Sequence, residues 1–268
     1  MEKNMRTEDS GREQSAHFTL NTGGAALLAR VRVVLHQPQH PGNIGAAARA
    51  MKTMGLSRLY LVRPQRFPDD EATARASGAA DVLEAATVCP DLESALSGVT
   101  FAAALSARGR DIGPPVLPAR DGAVELAKRA ALGDVALVFG GETSGLANAE
   151  VMRCDLLTTI PTNPDYSSLN LGAAVQLMCY ELRMAFDGGA LPAGKATPFE
   201  SPPATRDEIE NLFVHLEQTM LGTGFLNPRQ PSRLIPKLRR MLGRGGLEKD
   251  EINILRGFLA SVDALRAK

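Results

Sequence analysis

The chain has 268 residues, 44% hydrophobic and 22% charged, with no Trp, a balance ordinary for a globular protein able to bury a sizeable core. No apolar run reaches the roughly 20 residues of a membrane-spanning helix, and the opening stretch lacks the basic, apolar, small-residue order of a secretory leader. Thirty basic and thirty acidic residues cancel, so net charge alone gives no support to a nucleic-acid partner.

Residues 1–29 read as a disordered tail. "VRVVL" (31–35) is a short β-branched strand and "HQPQHPGN" after it is turn material. Asn43 is a good N-cap, so a helix is expected from Ile44 to Met54, stopped by Gly55. "RLYLV" (58–62) is the next strand, completing a βαβ unit. An acidic helical stretch follows at 69–76, then "LEAATV" (83–88) as a weak strand and "DLESAL" (91–96) as a helix opened by Asp91. "TFAAAL" (100–105) reads as a strand, 119–131 as a helix and "VALVF" (135–139) as the clearest strand of all. "DLLTTI" (155–160) is one more strand, before a long helix over 169–186. Alternating strands and helices imply an α/β fold, a mostly parallel sheet with helices on both faces.

The stretch 187–205, "DGGALPAGKATPFESPPAT", has almost no large apolar residue and reads as a linker. Beyond it, 206–268 is expected to be a small all-helical extension, with Leu212, Leu216 and Met220, then Ile252, Leu255 and Leu259, at helical spacing. Cys89, Cys154 and Cys179 show no C-x-x-C spacing, which points to reduced thiols in the cytoplasm and to no metal site. Charge is unevenly distributed: seven Arg or Lys and no acid between Gln14 and Pro68, and six basic residues and no acid over Arg229–Arg244. Two such blocks suit a phosphate-bearing partner, or two solvated helix faces.

Ligands of open parallel sheets collect beyond the carboxyl ends of the strands. Four loops fall there: P-G-N-I-G after the first strand, "SARGRDIGPP" after 100–105, "GGETSGLAN" after 135–139 and "PTNPDYSSLN" after 155–160. The glycine-rich turn after Phe139 is neither a dinucleotide fingerprint nor a Walker loop. The first helix is also unusual, because four alanines suit close packing while Arg49 and Lys52 do not.

Together these loops resemble the motifs of the SpoU/TrmH branch of the SPOUT RNA methyltransferases. Asn43, Gly45 and Arg49 match N-x-G-x-x-x-R; Gly140, Glu142, Gly145 and Leu146 match G-x-E-x-x-G-L; Ile160, Pro161, Ser168, Leu169 and Asn170 match I-P followed by S-L-N. "GNIGAAARAMKTMGLSRLYLV", "SGAADVL", "HLEQTMLGTGF", "KLRR" and "NILRGFLA" are similar to the TrmJ subgroup, from about residue 30 to near the end. Gly141 stands where the family commonly has a basic residue, and "DIGPPV" lacks a Trp often found in that loop.

The resemblance implies a SPOUT fold over residues 30–186 with a deep trefoil knot, and a homodimer. It implies S-adenosylmethionine held by Leu105, Ser106, Ala107, Gly140, Ile160, Ser167, Ser168 and Leu169. It implies methylation of the ribose 2′-hydroxyl of nucleotide 32, cytidine or uridine, in the tRNA anticodon loop. Arg49 is expected to orient the hydroxyl and stabilise its developing charge, since a guanidinium hardly deprotonates. Asn43, Glu142 and Asn170 are expected to position the reacting groups, and Lys52, Lys237, Arg239 and Arg240 to contact RNA. An RNA-binding module on the same fold without methyl transfer, or a 2′-O-methyltransferase of another position, is the alternative; failure to bind S-adenosylmethionine would favour the first of these.

Overall fold

A computed structural model describes residues 22–109, 113–187, 201–229, 233–244 and 246–266. The chain runs α1 (Thr22–Leu28), β1 (Val31–His36), α2 (Pro41–Met54), β2 (Arg58–Val62), α3 (Asp70–Ala76), α4 (Ala80–Glu84), β3 (Thr87–Cys89), α5 (Leu92–Leu96) and β4 (Phe101–Leu105). It continues through β5 (Val116–Pro118), α6 (Ala119–Ala130), β6 (Val135–Phe139), α7 (Asn148–Val151), β7 (Leu156–Thr159) and α8 (Leu171–Asp187), then α9 (Arg206–Thr223), α10 (Leu234–Gly243) and α11 (Lys249–Arg266). Seven strands form one sheet in the order β3-β2-β1-β6-β4-β7-β5, every pair parallel.

The central strands are apolar on both faces because both are covered, apart from Arg32 at the start of β1, which is buried and paired with Asp134 at 3.2 Å. Val31, Val33, Leu35, Leu137 and Phe139 point into the larger core with α1, α2, α6 and α8. Val34, Ala136 and Val138 point into a second core with α5 and α7. α2 and α8 run alongside each other, with Gly172 against Ala46 and the Arg183 guanidinium donating to Met54 O at 3.2 Å. A Cβ at Gly45 would lie 2.1 Å from Ala72 O, so that glycine and the buried alanines let α2 sit tightly between α3 and α8.

Several sequence expectations need correction. Of the tail expected to be disordered, residues 1–21 lie outside the described residues, but Thr22–Leu28 is helical and Leu28 is buried in the main core. The expected strand 83–88 divides: 80–84 is helix and only Thr87–Cys89 pairs with β2. The edge strand Val116–Pro118 and the short helix Asn148–Val151 were not anticipated. Residues 188–200 of the expected linker lie outside the described residues. Its final stretch is packed, with Ala204 buried and its N–H donating to Leu247 O at 2.8 Å.

The helical module of α9 and α11 has its own small core of Ala204, Leu212, Ile252 and Leu259. It docks at the amino ends of the strands. Arg206, 6% exposed, bonds Asp155 at 2.5 Å just before β7, while Asp207 accepts from Ser97 Oγ and Gly98 N at 3.0 and 2.9 Å ahead of β4.

Candidate active site

The strand order reverses between β1 and β6, and the crevice expected beside that point is a cleft of about 230 Å³ beyond the carboxyl ends of β4, β6 and β7. Leu105, Ser106, Ala107, Gly140, Ile160, Ser167, Ser168 and Leu169, the residues the resemblance assigned to the cofactor, all line it. Most of the wall is small side chains and backbone. A Cβ at Gly140 would fall 2.2 Å from the Gly145 carbonyl carbon, so the loop can fold on itself, with Gly145 N donating to Gly141 O at 2.9 Å, only if residue 140 is glycine. A Cβ at Gly141 would lie 2.7 Å from Gln37 O, so this backbone approach also needs glycine.

Three distant segments meet at the cleft through one chain of hydrogen bonds. Asn43 Nδ2 donates to Glu142 Oε1 at 2.8 Å, and Asn170 Nδ2 donates to Asn43 Oδ1 at 2.9 Å. The backbone N–H groups of Gln39 and His40 also donate to Glu142, at 2.8 and 3.2 Å. Burial pushes the Glu142 carboxyl upward, but these donors outweigh it and hold the group below its ordinary range. Glu142 is therefore an anionic staple between the turn entering α2 and the loop after β6.

Asn43 is not the N-cap of α2. Pro41 stands at the first helical position, and His40 caps without a side-chain bond. Asn43 lies one turn inside, its amide freed for Glu142 and Asn170. Gly55 closes α2 in the left-handed conformation at φ 87°, as its sequence position implied. Arg49 is exposed on α2; it does not line the cleft of its own chain. Lys52, on the same helix, is bonded to Asp81 at 2.7 Å and to Gly78 O at 2.9 Å across the turn after α3. In the extension, Arg239 is spent internally: it grips Glu210 with two bonds of 2.7 Å and lies 4.2 Å from the Phe213 ring centroid. Lys237 and Arg240 are exposed on α10.

One site feature, Arg108, escaped the sequence reading. Arg108 lines the cleft and is the one basic residue among its described walls, where Glu142 is the one acidic residue. Its backbone is fixed by Ser106, whose Oγ accepts from Arg108 N and donates to Arg108 O, both at 3.1 Å. Its place two residues after Ser106, in a glycine turn at a strand end, was the available signal. His36 is buried at the end of β1, with its imidazole pKa lowered by burial despite Glu150 at 3.7 Å. Burial pushes the Cys154 and Cys179 thiols up to about 12, which leaves them inert as nucleophiles.

With this geometry in place, comparison with known proteins is informative. The profile of the SpoU rRNA Methylase family matches residues 30–180, and that of the tRNA methyltransferase TrmJ C-terminal domain matches residues 207–268. The chain is 49% identical over 240 residues to the tRNA (cytidine/uridine/adenosine-2′-O-)-methyltransferase TrmJ of Pseudomonas aeruginosa, covering 87% of this chain and 93% of that one. It is 47% identical to the tRNA (cytidine/uridine-2′-O-)-methyltransferase TrmJ of Pectobacterium atrosepticum, covering 88% and 98%. The crystal structure of TrmJ from Z. mobilis ZM4 superposes with a TM-score of 0.75 at 33% identity, over 87% of this chain and 98% of that one.

Proposed function

We infer the reaction from one premise: this chain belongs to the SpoU methylase family and carries the C-terminal domain of its TrmJ members. The reaction is methylation of a tRNA ribose 2′-hydroxyl, with S-adenosylmethionine as donor and nucleotide 32 of the anticodon loop as target. The observation that carries it is the Asn43–Glu142–Asn170 chain, which joins all three motif segments beside a cleft lined mostly by Gly, Ala, Ser and Thr. Such a wall suits an adenosine moiety, which backbone N–H and C=O groups can read edge-on where glycine permits close approach. Bound there, the donor supplies an electrophilic methyl group on a sulfonium.

The chain's own part is positioning and electrostatics. Glu142 fixes the start of α2 against the cleft, and Asn43 and Asn170 set the spacing between donor loop and helix. Arg49 presents a fixed positive charge that orients the 2′-oxygen and stabilises the negative charge it gains as its proton leaves; a guanidinium does not itself take that proton. Because Arg49 stands outside its own cleft, it serves the cleft of a second copy. The exposed stripe Leu177, Tyr180 and Met184 on α8, beside α2, supports that pairing. The reading also carries a deep trefoil knot at the segment bearing Ile160 to Asn170, a methyltransferase domain running from α1 to α8, and 206–268 as a tRNA-gripping extension in a cytoplasmic enzyme. Relatives named for cytidine, uridine and, in one case, adenosine support a target base that is weakly discriminated.

The test is mass mapping of unmodified tRNA incubated with the purified protein and S-adenosylmethionine. A ribose methyl at nucleotide 32 is expected. Methylation at another nucleotide would overturn the positional assignment, and no ribose methylation in any tRNA would overturn the reaction.

A further inference from the structure

We propose that the target nucleotide is held at the mouth of the cleft by two positioning residues, Tyr166 stacking on its base and Arg108 binding its backbone phosphate. This rests on the methyl-transfer reading above and names contacts that reading leaves unassigned.

Tyr166 is 79% exposed. The loop that carries it is held by Tyr166 N donating to Asn163 O and Asp165 N donating to Asn163 Oδ1, both at 3.0 Å, and neither bond uses the ring. The next residues, Ser167 to Leu169, line the cleft. An aromatic ring left in water on a loop that folds without it adds nothing to the fold, yet it offers a flat apolar face beside the site. Single-stranded RNA is read largely by unstacked bases laid on such faces.

Arg108 supplies the complementary charge. Among the described walls of the cleft no acid besides Glu142 is present, and that carboxylate already accepts from Asn43, Gln39 and His40. The Ser106 hydroxyl clamps the Arg108 backbone, and Ser106 N is anchored to Thr158 O at 3.1 Å. Arg108 and Tyr166 thus follow β4 and β7, which are neighbours paired at Leu105 and Thr158, while Asn43 and Glu142 occupy the β1 and β6 side. A nucleotide carries base and phosphate on either side of its sugar. With both held on the β4–β7 side, the sugar faces the cleft between them. Stacking tolerates any base, since every base has a π-face.

The experiment uses the full chain and an anticodon stem-loop carrying a fluorescent cytidine analogue at the nucleotide that mass mapping has identified. Stacking on Tyr166 should quench the analogue in wild type and in Tyr166→Phe, and quenching should be lost in Tyr166→Ala. Tyr166→Ala should raise the tRNA KM about ten-fold with S-adenosylmethionine affinity and Tm unchanged. Arg108→Ala should reduce the slope of log Kd against log salt by about one, and Arg108→Lys should restore it. Equal quenching in wild type and Tyr166→Ala, or weakened cofactor binding with tRNA binding intact in either alanine variant, would overturn the proposal. If mapping finds no ribose methyl at all, the reaction itself fails first, and that result is separate from these.

Discussion

The carboxylate of Glu142 gives the most decisive perturbation. Replacing it by glutamine keeps the shape but puts an NH₂ where one oxygen stood. Oε2 accepts from Gln39 N at 2.8 Å, and Oε1 from His40 N at 3.2 Å and Asn43 Nδ2 at 2.8 Å. Whichever way the new amide turns, a donor meets a donor at one of the two positions. The bonds that survive lose the strengthening of a charged acceptor, which makes them roughly half as strong. Losing one charge-assisted bond costs about 1.5–3 kcal/mol, and at this half-buried position about 2 kcal/mol overall is a fair figure. For a domain of this size that lowers Tm by roughly 4–8 °C. The same change frees the turn before α2, so methyl transfer should fall at least ten-fold while the rest of the fold persists. Because the folded carboxyl is held below its ordinary range, the stability it contributes is complete above an unfolded-state pKa of about 4.3 and is lost as pH falls through the lower folded value. The gap in Tm between wild type and Glu142→Gln should therefore be full at neutral pH and shrink below about pH 4.3. Equal melting temperatures at pH 7, together with equal transfer rates, would refute the role of Glu142 as a staple.

Gly140→Ala should weaken S-adenosylhomocysteine binding at least ten-fold in calorimetry, because its Cβ would fall 2.2 Å from the Gly145 carbonyl carbon and force the loop apart; unchanged affinity would show that the loop is not the cofactor wall. Arg49→Ala should keep Tm and cofactor affinity, since the side chain is exposed, and lose nearly all transfer to tRNA; transfer near the wild-type rate would remove Arg49 from the mechanism. Arg239→Ala should cost about 2–4 kcal/mol in denaturant unfolding, because it removes both hydrogen bonds to the largely buried Glu210 and leaves it only Arg206 at 4.0 Å. The double variant Lys237→Ala/Arg240→Ala should leave stability unchanged and lower the salt slope of tRNA binding by about two. Equal effects of the two variants on stability would contradict the division of the basic block.

Much of this was legible in the sequence because it depends on local pattern. β6 announces itself as an unbroken apolar run and β1 as a β-branched one broken only by Arg32, and Gly55 and Asp91 mark helix ends by their own chemistry. The eight cleft residues were named through the family resemblance, whose pattern falls on the loops at the strand ends. What failed depends on partners far along the chain. Asn43 looks like a cap until Pro41 starts the helix ahead of it and Glu142, 99 residues on, takes its amide. Arg239 belongs to a one-signed stretch, yet Glu210 neutralises it across 29 residues. Residues 83–88 have the composition of a strand, but Val82 and Leu83 are buried facing inward from a helical turn. Counting charges or apolar residues along a line cannot register neighbours that only folding creates.

The docking of α9 at the amino ends of β4 and β7 places the helical module and the cleft at opposite poles of the same strands. The sheet thereby becomes a ruler. A polymer touching both the rim at Arg108 and the exposed cations of α10 must run at least the length of a five-residue strand, about 17 Å. A short oligonucleotide can occupy one pole only, so a substrate long and rigid enough to bridge them is distinguished from a fragment by its dimensions before any base is inspected.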